Sequence, residues 1–373
     1  MMQYLLLIMA LASSVSYAKT SSSAVSLTLA QDSIQELPHI FFNANDTVIR
    51  WVKDGALQQI SSAASADFGK DVAQLVATFD LPLLAALQEN EAYSNLPDRS
   101  YEYSDVPNWL AISDIHGQYP LFVALLEQHQ VIDSEGNWIF GSGHLVINGD
   151  IFDRGTGVTE ALWHTYKLQQ QALSAGGKVH YLIGNHELMV LDNDLRYVHD
   201  QYKLTAEILD KPYEEQFGRQ SFFGQWIRQQ PITIKINDTW FVHAGISPEI
   251  IRENLSPTKI NRLFRDSIFT QSRADYRANP TLNLLATSNG PVWYRGYFKD
   301  EAINQADITR ILQFWNADRM VIGHTSQKQI TPLFDSKVIV IDSSIKNGKT
   351  GEVLLYNEGQ LYRGLLDGNR LAL

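Results

Sequence analysis

The sequence predicts an α/β fold, on three observations. From Trp109 onward short apolar strands alternate with helical stretches, each strand runs directly into a polar motif, and the motifs share a few residue types. Residues 109–112 lead into Ser113-Asp114-Ile115-His116-Gly117. Residues 145–147 lead into Asn148-Gly149-Asp150-Ile151-Phe152-Asp153-Arg154-Gly155. Residues 179–183 lead into Gly184-Asn185-His186-Glu187. Further on, residues 240–242 reach His243-Ala244-Gly245, residues 319–322 reach Gly323-His324-Thr325, and residues 338–341 end at Asp342. In such an architecture the loops after strand C-termini converge on one edge, so motifs at five such ends can share one site.

The N-terminal part reads differently. An apolar run over residues 4–12 and the small-x-small Ser16-Tyr17-Ala18 predict a secretory signal over residues 1–18, too short to span a bilayer. It implies export, to a periplasm or beyond, without stable membrane insertion. Residues 19–106 read as a linker and cap. Val48, Trp51 and Val52 lie before Asp54-Gly55 and an apolar stretch follows, which predicts a β-hairpin over residues 40–60. Val72, Leu75, Val76, Phe79 and Leu83 give helical spacing over residues 68–87. This region holds no cluster of catalytic residue types, so the catalytic domain is placed at residues 107–373.

Composition narrows the function. The chain has 373 residues, 45% hydrophobic and 19% charged, as in ordinary globular proteins. A formal net charge of −11 argues against a nucleic-acid partner, which needs a positive surface. The absence of cysteine rules out disulfides, thiolate metal sites and any cysteine nucleophile.

Taken singly, several motifs have plainer readings. Asp114-x-His116 offers a carboxylate and an imidazole to a cation, but also suits an exposed turn. Asn185 can give an amide oxygen to a hard cation or cap the helix after it. His243 and His324 each end an apolar strand, where a lone histidine is commonly structural. Gly149-Asp150-x-x-Asp153-Arg154-Gly155 is more specific. Asp150 leaves its strand where an acceptor-only carboxylate can bridge two cations, Asp153 sits close by, and Arg154 offers a planar donor fork to phosphate oxygens. Four of the ten histidines fall within these motifs, which coincidence explains poorly.

Together the ordered motifs D-x-H-G, G-D-x-x-D-R-G, G-N-H-E, H-A-G and G-H-T resemble the phosphoprotein phosphatase branch of the calcineurin-like metallophosphoesterases. Asn193-Asp194-Leu195-Arg196-Tyr197-Val198 further resembles the bacterial Shewanella-like phosphatases. The resemblance implies a sandwich of two mixed β-sheets flanked by helices and a centre of two divalent ions (Mn, Fe or Zn). One ion would be held by Asp114, His116 and Asp150, the other by Asp150, Asn185, His243 and His324. It also implies that Arg154 and Arg295 grip phosphate and that His186 is the general acid, oriented by Asp153. Two departures stand out: Ile183 occupies a position that is usually Arg in eukaryotic members, and their S-A-P-N-Y-C segment is missing.

The function expected from the resemblance is hydrolysis of phosphomonoesters on phosphoproteins or phosphopeptides, phosphotyrosine in particular, by attack of a metal-bridging hydroxide. The alternative on the same scaffold is a hydrolase of dinucleoside polyphosphates or cyclic nucleotides. Arg154 with Arg295 favours the monoester, whose terminal group is doubly charged. A non-catalytic binding module is disfavoured because ligands, acid and arginines are all present. The aromatic stretches at residues 213–226 and 294–298 fit either a substrate cleft or core packing.

Overall fold

The computed structural model describes residues 34–92, 101–299 and 303–373. The signal reading at residues 1–18 and the start of the linker lie outside them. Two six-stranded mixed sheets form the body, as the resemblance implies. Sheet one has the order β15-β14-β13-β5-β6-β7, where β5 is Asn108–Ile112, β6 His144–Ile147, β7 Lys178–Tyr181, β13 Glu352–Asn357, β14 Gln360–Leu365 and β15 Arg370–Ala372. Sheet two has the order β11-β12-β10-β9-β8-β4, where β4 is Glu102–Tyr103, β8 Thr233–Ile236, β9 Thr239–Val242, β10 Arg319–Ile322, β11 Thr331–Leu333 and β12 Val338–Val340.

Alternation along each strand decides the layering. Trp109 and Ala111 of β5, Val146 of β6, Ile234 and Ile236 of β8, Phe241 of β9, Val321 of β10, Ile339 of β12 and Leu354 of β13 form one apolar cluster between the sheets. Their immediate neighbours Leu110, Ile112, Leu145, Ile147, Trp240, Val242, Met320, Ile322, Val338, Val340, Val353 and Leu355 belong to a second, larger cluster on the outer, helix-covered faces. A strand buried on both faces must be apolar at every position, which is why these strands read as unbroken apolar runs. Trp109 anchors the inner layer, edge-on to Phe241 at 5.0 Å and stacked on Tyr356 at 5.3 Å.

The three strands β5, β6 and β7 run parallel, as do β9, β10 and β12. Their C-terminal ends carry the motifs. The fold therefore brings six polar loops to one rim of the sandwich.

Before the sandwich, β1 (Glu36–Asn43), β2 (Asp46–Lys53) and β3 (Ala56–Ser61) form a separate three-stranded sheet. The hairpin expected over residues 40–60 is found only as β2–β3, turned at Asp54 and Gly55, both with positive φ (51° and 70°), the geometry a tight two-residue hairpin needs, whereas residues 40–43 belong to the preceding strand β1. The single helix expected over residues 68–87 is instead two, Phe68–Phe79 and Leu83–Ala92. Asp80 turns left-handed at φ 53° and its N–H caps Val76, and Pro82 then cannot continue the ladder. The sheet docks on the body. Trp163 Nε1 donates to the Pro38 carbonyl (2.9 Å), the Phe42 N–H donates to Gln220 (2.7 Å), and Ile40 and Ile49 join the large outer core. The aromatics Tyr213, Phe217, Phe222, Phe223 and Trp226 pack into that core, and Tyr294 and Tyr297 are also buried, so these stretches are packing and not a cleft. Among the described residues no helix is long and apolar enough to cross a membrane.

Phe241 is fully buried between the sheets. Phe241→Ala is expected to lower the unfolding free energy by about 3–5 kcal/mol in urea titration, and a loss below about 1 kcal/mol would contradict this packing.

Candidate functional site

The loops at the rim are backbone-locked to one another before any side chain acts. The N–H groups of Asp114 and His116 donate to the carbonyls of Gly149 (3.1 Å) and Asp150 (2.9 Å), and Gly323 N–H donates to His243 (2.7 Å). Asp114, His116, Asp150, Asp153, Arg154 and His324 all adopt positive φ, between 47° and 71°. Each such residue costs on the order of 1 kcal/mol, and a cluster of them marks a site whose geometry is imposed by its surroundings. Gly149 has φ +86° and sits where a Cβ would meet His243 Nδ1 at 2.7 Å, so only glycine lets these loops close.

Each candidate ligand is tied by one atom and free by another. Asp150 Oδ1 accepts from the His186 N–H (2.9 Å), which leaves Oδ2 facing inward. Asp114 Oδ2 accepts from Ser113 Oγ (2.6 Å) and the His324 N–H (2.9 Å), which leaves Oδ1. His116 Nδ1 donates to the Phe152 carbonyl (2.7 Å) and His243 Nδ1 to the Asn148 carbonyl (2.8 Å). His324 donates through Nε2 to the Trp293 carbonyl (3.2 Å). Because carbonyls only accept, these bonds fix the tautomers and offer the opposite ring nitrogen to the centre.

The free atoms converge on Asp150 Oδ2. His243 Nε2 lies 3.2 Å from it, His116 Nε2 3.7 Å and His186 Nε2 3.9 Å. His243 Nε2 is also 3.1 Å from Asn185 Oδ1, and Asp114 Oδ1 is 3.9 Å from His116 Nε2. Two groups of donor atoms result, each mutually within 4.8 Å: His116, Asp150 and His186, and Asp150, His243 and His324. Asp150 belongs to both.

Electrostatics shows what this cluster lacks. Burial, then neighbouring Asp342, holds the Asp114 carboxyl well above the usual range. Burial also opposes ionisation of Asp150, but His243 and His186 outweigh it and keep that carboxyl well below the usual range. Burial pushes His116 down to about 3 and lowers His324 as well. Burial would depress His243 too, but Asp150, by charge and hydrogen bond, lifts it to about 10. Buried carboxylates and imidazole lone pairs thus face one another, and a proton on His243 is the counter-charge the protein itself can supply. Divalent cations at the two donor groups would meet the inward atoms of His116, Asp150, His186, His243 and His324, with Asp114 Oδ1 and Asn185 Oδ1 beside them, so the residues fit a two-metal centre.

The structure brings all ten expected site residues to this rim. Asp114, His116, Asp150, Asn185, His243 and His324 are buried, as are His186 and Asp153, whereas Arg154 and Arg295 are exposed. His186 Nδ1 donates to Asp153 Oδ2 at 2.5 Å. Distance alone does not separate His186 from the ligands, since its Nε2 is nearly as close to Asp150 as that of His116. Arg154 lies over the Tyr197 ring (5.1 Å), and that ring also meets the His186 ring at 5.4 Å. Arg295 donates to Thr325 Oγ1 (3.0 Å).

Sequence reasoning left several supports without a role. Buried Glu187 accepts from the N–H groups of Asp150 (2.9 Å), Ile151 (2.7 Å) and Gly184 (2.7 Å) and from the Tyr181 hydroxyl (2.9 Å), so one carboxylate clamps the loop that carries Asp150. Its position three residues after Gly184, where a capping carboxylate reaches back, was the available signal. Asp342 accepts from Ser326 Oγ (2.6 Å) and the Ser344 N–H (3.0 Å) and adds negative charge beside Asp114. Tyr197 carried no signal beyond its motif.

Comparison with known proteins bears on the fold and the family. The family model for calcineurin-like phosphoesterases matches residues 108–328. A solved structure of cold-active protein tyrosine phosphatase at 1.1 Å superposes with a TM-score of 0.80 at 40% identity, covering 91% of this chain and 97% of that one. A second structure of a cold-active protein-tyrosine phosphatase, from a psychrophilic Shewanella species, gives 0.79 at 38% identity and covers 91% and 100%. Shewanella-like protein phosphatase 1 of Plasmodium berghei is 28% identical over 274 residues, 69% of this chain and 70% of that protein.

Gly184 supplies a clean steric test. Its φ of −99° suits any residue, but a Cβ would lie 2.7 Å from the Asp150 backbone nitrogen and press on the Asp150 carboxylate. Gly184→Ala is expected to lower bound metal, by elemental analysis, to less than about half that of the parent, with circular dichroism retained. Full metal content would show that Asp150 is not placed as described.

Proposed function

Since the chain belongs to the calcineurin-like phosphoesterase family, we propose that this metal-dependent phosphatase acts on phosphoproteins, phosphotyrosine first among their residues. The observation that carries the reading is the buried Asp150 carboxylate shared between two donor groups, with two exposed arginines at the same rim. In the assignment, Asp114, His116 and Asp150 hold one cation, and Asp150, Asn185, His243 and His324 hold the other. When bound, such cations supply Lewis acidity at the phosphoryl oxygens and acidify water to give the nucleophile at neutral pH.

The protein's own groups do the rest. Arg154 and Arg295 meet the charge on the equatorial phosphoryl oxygens, where preorganised donors lower the barrier most. His186 Nε2 faces the centre while Nδ1 is held by Asp153, so Nε2 is the atom that delivers a proton to the departing oxygen. Tyr197, 43% exposed beside both His186 and Arg154, offers an aromatic face to a phosphotyrosine ring. The phosphotyrosine preference is further supported by likeness to proteins named as tyrosine phosphatases.

The deciding experiment strips the protein with chelator, restores single metals and compares matched phosphotyrosine, phosphoserine and phosphothreonine peptides with a dinucleoside tetraphosphate. Metal-dependent release, fastest from phosphotyrosine, is expected. Faster turnover of the tetraphosphate would move the enzyme to nucleotide hydrolysis, and no release with any metal would end the catalytic reading. Asp150→Ala is expected to cost more activity than Asp114→Ala, and equal losses would remove the shared role of Asp150. His186→Ala should slow esters of poor leaving groups more than those of good ones, by about 10²-fold or more, and a uniform loss would remove the general-acid assignment. Arg295→Ala should weaken inhibition by inorganic phosphate as well as turnover.

A further inference from the structure

Beside the metal rim lies a cavity of about 350 Å³ lined by Arg196, Arg273, Arg277, Arg295 and Lys299, with Asp194 the one carboxylate in its wall. Resting on the phosphoprotein reading, we propose that this pocket binds carboxylate side chains flanking the phosphorylated residue, so that the preferred substrate is an acidic phosphopeptide.

The pocket concentrates positive charge on a chain whose net charge is −11, against the average field of the molecule. Like charges gathered this way repel unless an anion joins them. The acidic residues nearby position guanidinium groups and do not cancel the set. Asp194 takes Arg196 in a two-point pair (2.8 and 2.5 Å) and also meets Arg273 at 3.4 Å, so one carboxylate serves two arginines. Asp192 lies 4.0 Å from Arg273 and accepts a hydrogen bond from the Tyr276 hydroxyl. Among the described residues no carboxylate lies within ion-pair distance of Arg277, Arg295 or Lys299.

Both walls of the pocket lead to the centre. Arg295 belongs to the pocket and to the phosphate-gripping pair, and its neighbour Trp293 lines the pocket while its carbonyl orients His324. On the other side Arg196 precedes Tyr197, whose ring meets His186. A peptide with its phosphate at the centre therefore passes its adjoining residues over these cations. Guanidinium forks match carboxylates in a bidentate manner. Trp293 is the sole aromatic in the described lining, so a nucleobase could be stacked on one face at most.

The test uses the metal-loaded full chain and its Arg277→Ala/Lys299→Ala variant, two exposed positions. Phosphotyrosine peptides with glutamate, alanine or lysine flanks are compared, and a small aryl phosphate reports on the catalytic centre separately. The parent is expected to show a KM about five- to tenfold lower for glutamate than for alanine flanks at similar kcat. That advantage should shrink with salt and be largely lost in the variant. Equal KM values in a parent that turns over the aryl phosphate would overturn the pocket and leave the phosphatase reading intact. If the aryl phosphate is not turned over, anisotropy of a labelled unphosphorylated glutamate peptide still decides: salt-sensitive binding weakened in the variant supports the pocket, and no binding overturns it. A dinucleoside tetraphosphate advantage lost in the variant, without a glutamate advantage, would also overturn it.

Discussion

The structure is organised around carboxylates buried together at one site, whose charge the polypeptide offsets by itself chiefly with a proton on His243. Asp114, Asp150, Glu187 and Asp342 are all sequestered at one rim of the sandwich. A buried carboxylate persists only if it is paired, hydrogen-bonded or bound to a cation. Glu187 is satisfied by four donors, and Asp342 by a hydroxyl and an N–H. Asp150 is held differently: one oxygen accepts from backbone, and the other meets three imidazoles, of which His243, carrying a proton of its own, is the chief counter-charge. That asymmetry makes a cation site out of what would otherwise be an expensive polar core.

The scaffold exists to hold that arrangement against its own cost. Left-handed backbone at six site residues is unfavourable at each of them, and the ladder of N–H bonds between the loops fixes them together. The loops are short because the parallel strands beneath them end in register, and those strands are rigid because both faces are packed. The chain of dependence runs from alternating apolar residues, to a double-faced sheet, to fixed strand ends, to ring nitrogens and carboxylate oxygens held by second partners.

Charge is distributed with the same economy. The molecule as a whole is acidic, which suits solubility but repels phosphorylated ligands at long range. Positive charge is supplied locally instead, at Arg154 and Arg295 beside the centre and in the cationic wall next to them. Tyr197 links Arg154 of the Asp150 loop and its own neighbour Arg196 to His186 through its ring.

Much of the centre was legible in the chain. Short apolar strands running into Asp-x-His, Gly-Asp-x-x-Asp-Arg-Gly, Gly-Asn-His-Glu and strand-end histidines determine both the fold class and the ligand types, because a carboxylate, an imidazole or an amide carries its chemistry wherever it is placed. The break at Asp80 to Pro82 was also written there, in a proline that periodicity alone overlooked. Tertiary structure decided the rest. It gave Glu187 four donors from two loops and a strand, aimed one oxygen of Asp150 inward and the other away, set Asp342 beside Asp114, and turned the aromatic stretch at residues 213–226 into core. It also gathered Arg196, Arg273, Arg277, Arg295 and Lys299 into one wall. Residue identity sets what a group can do, but burial, register and approach across loops set which of its atoms remains free, and those are properties of the packed chain.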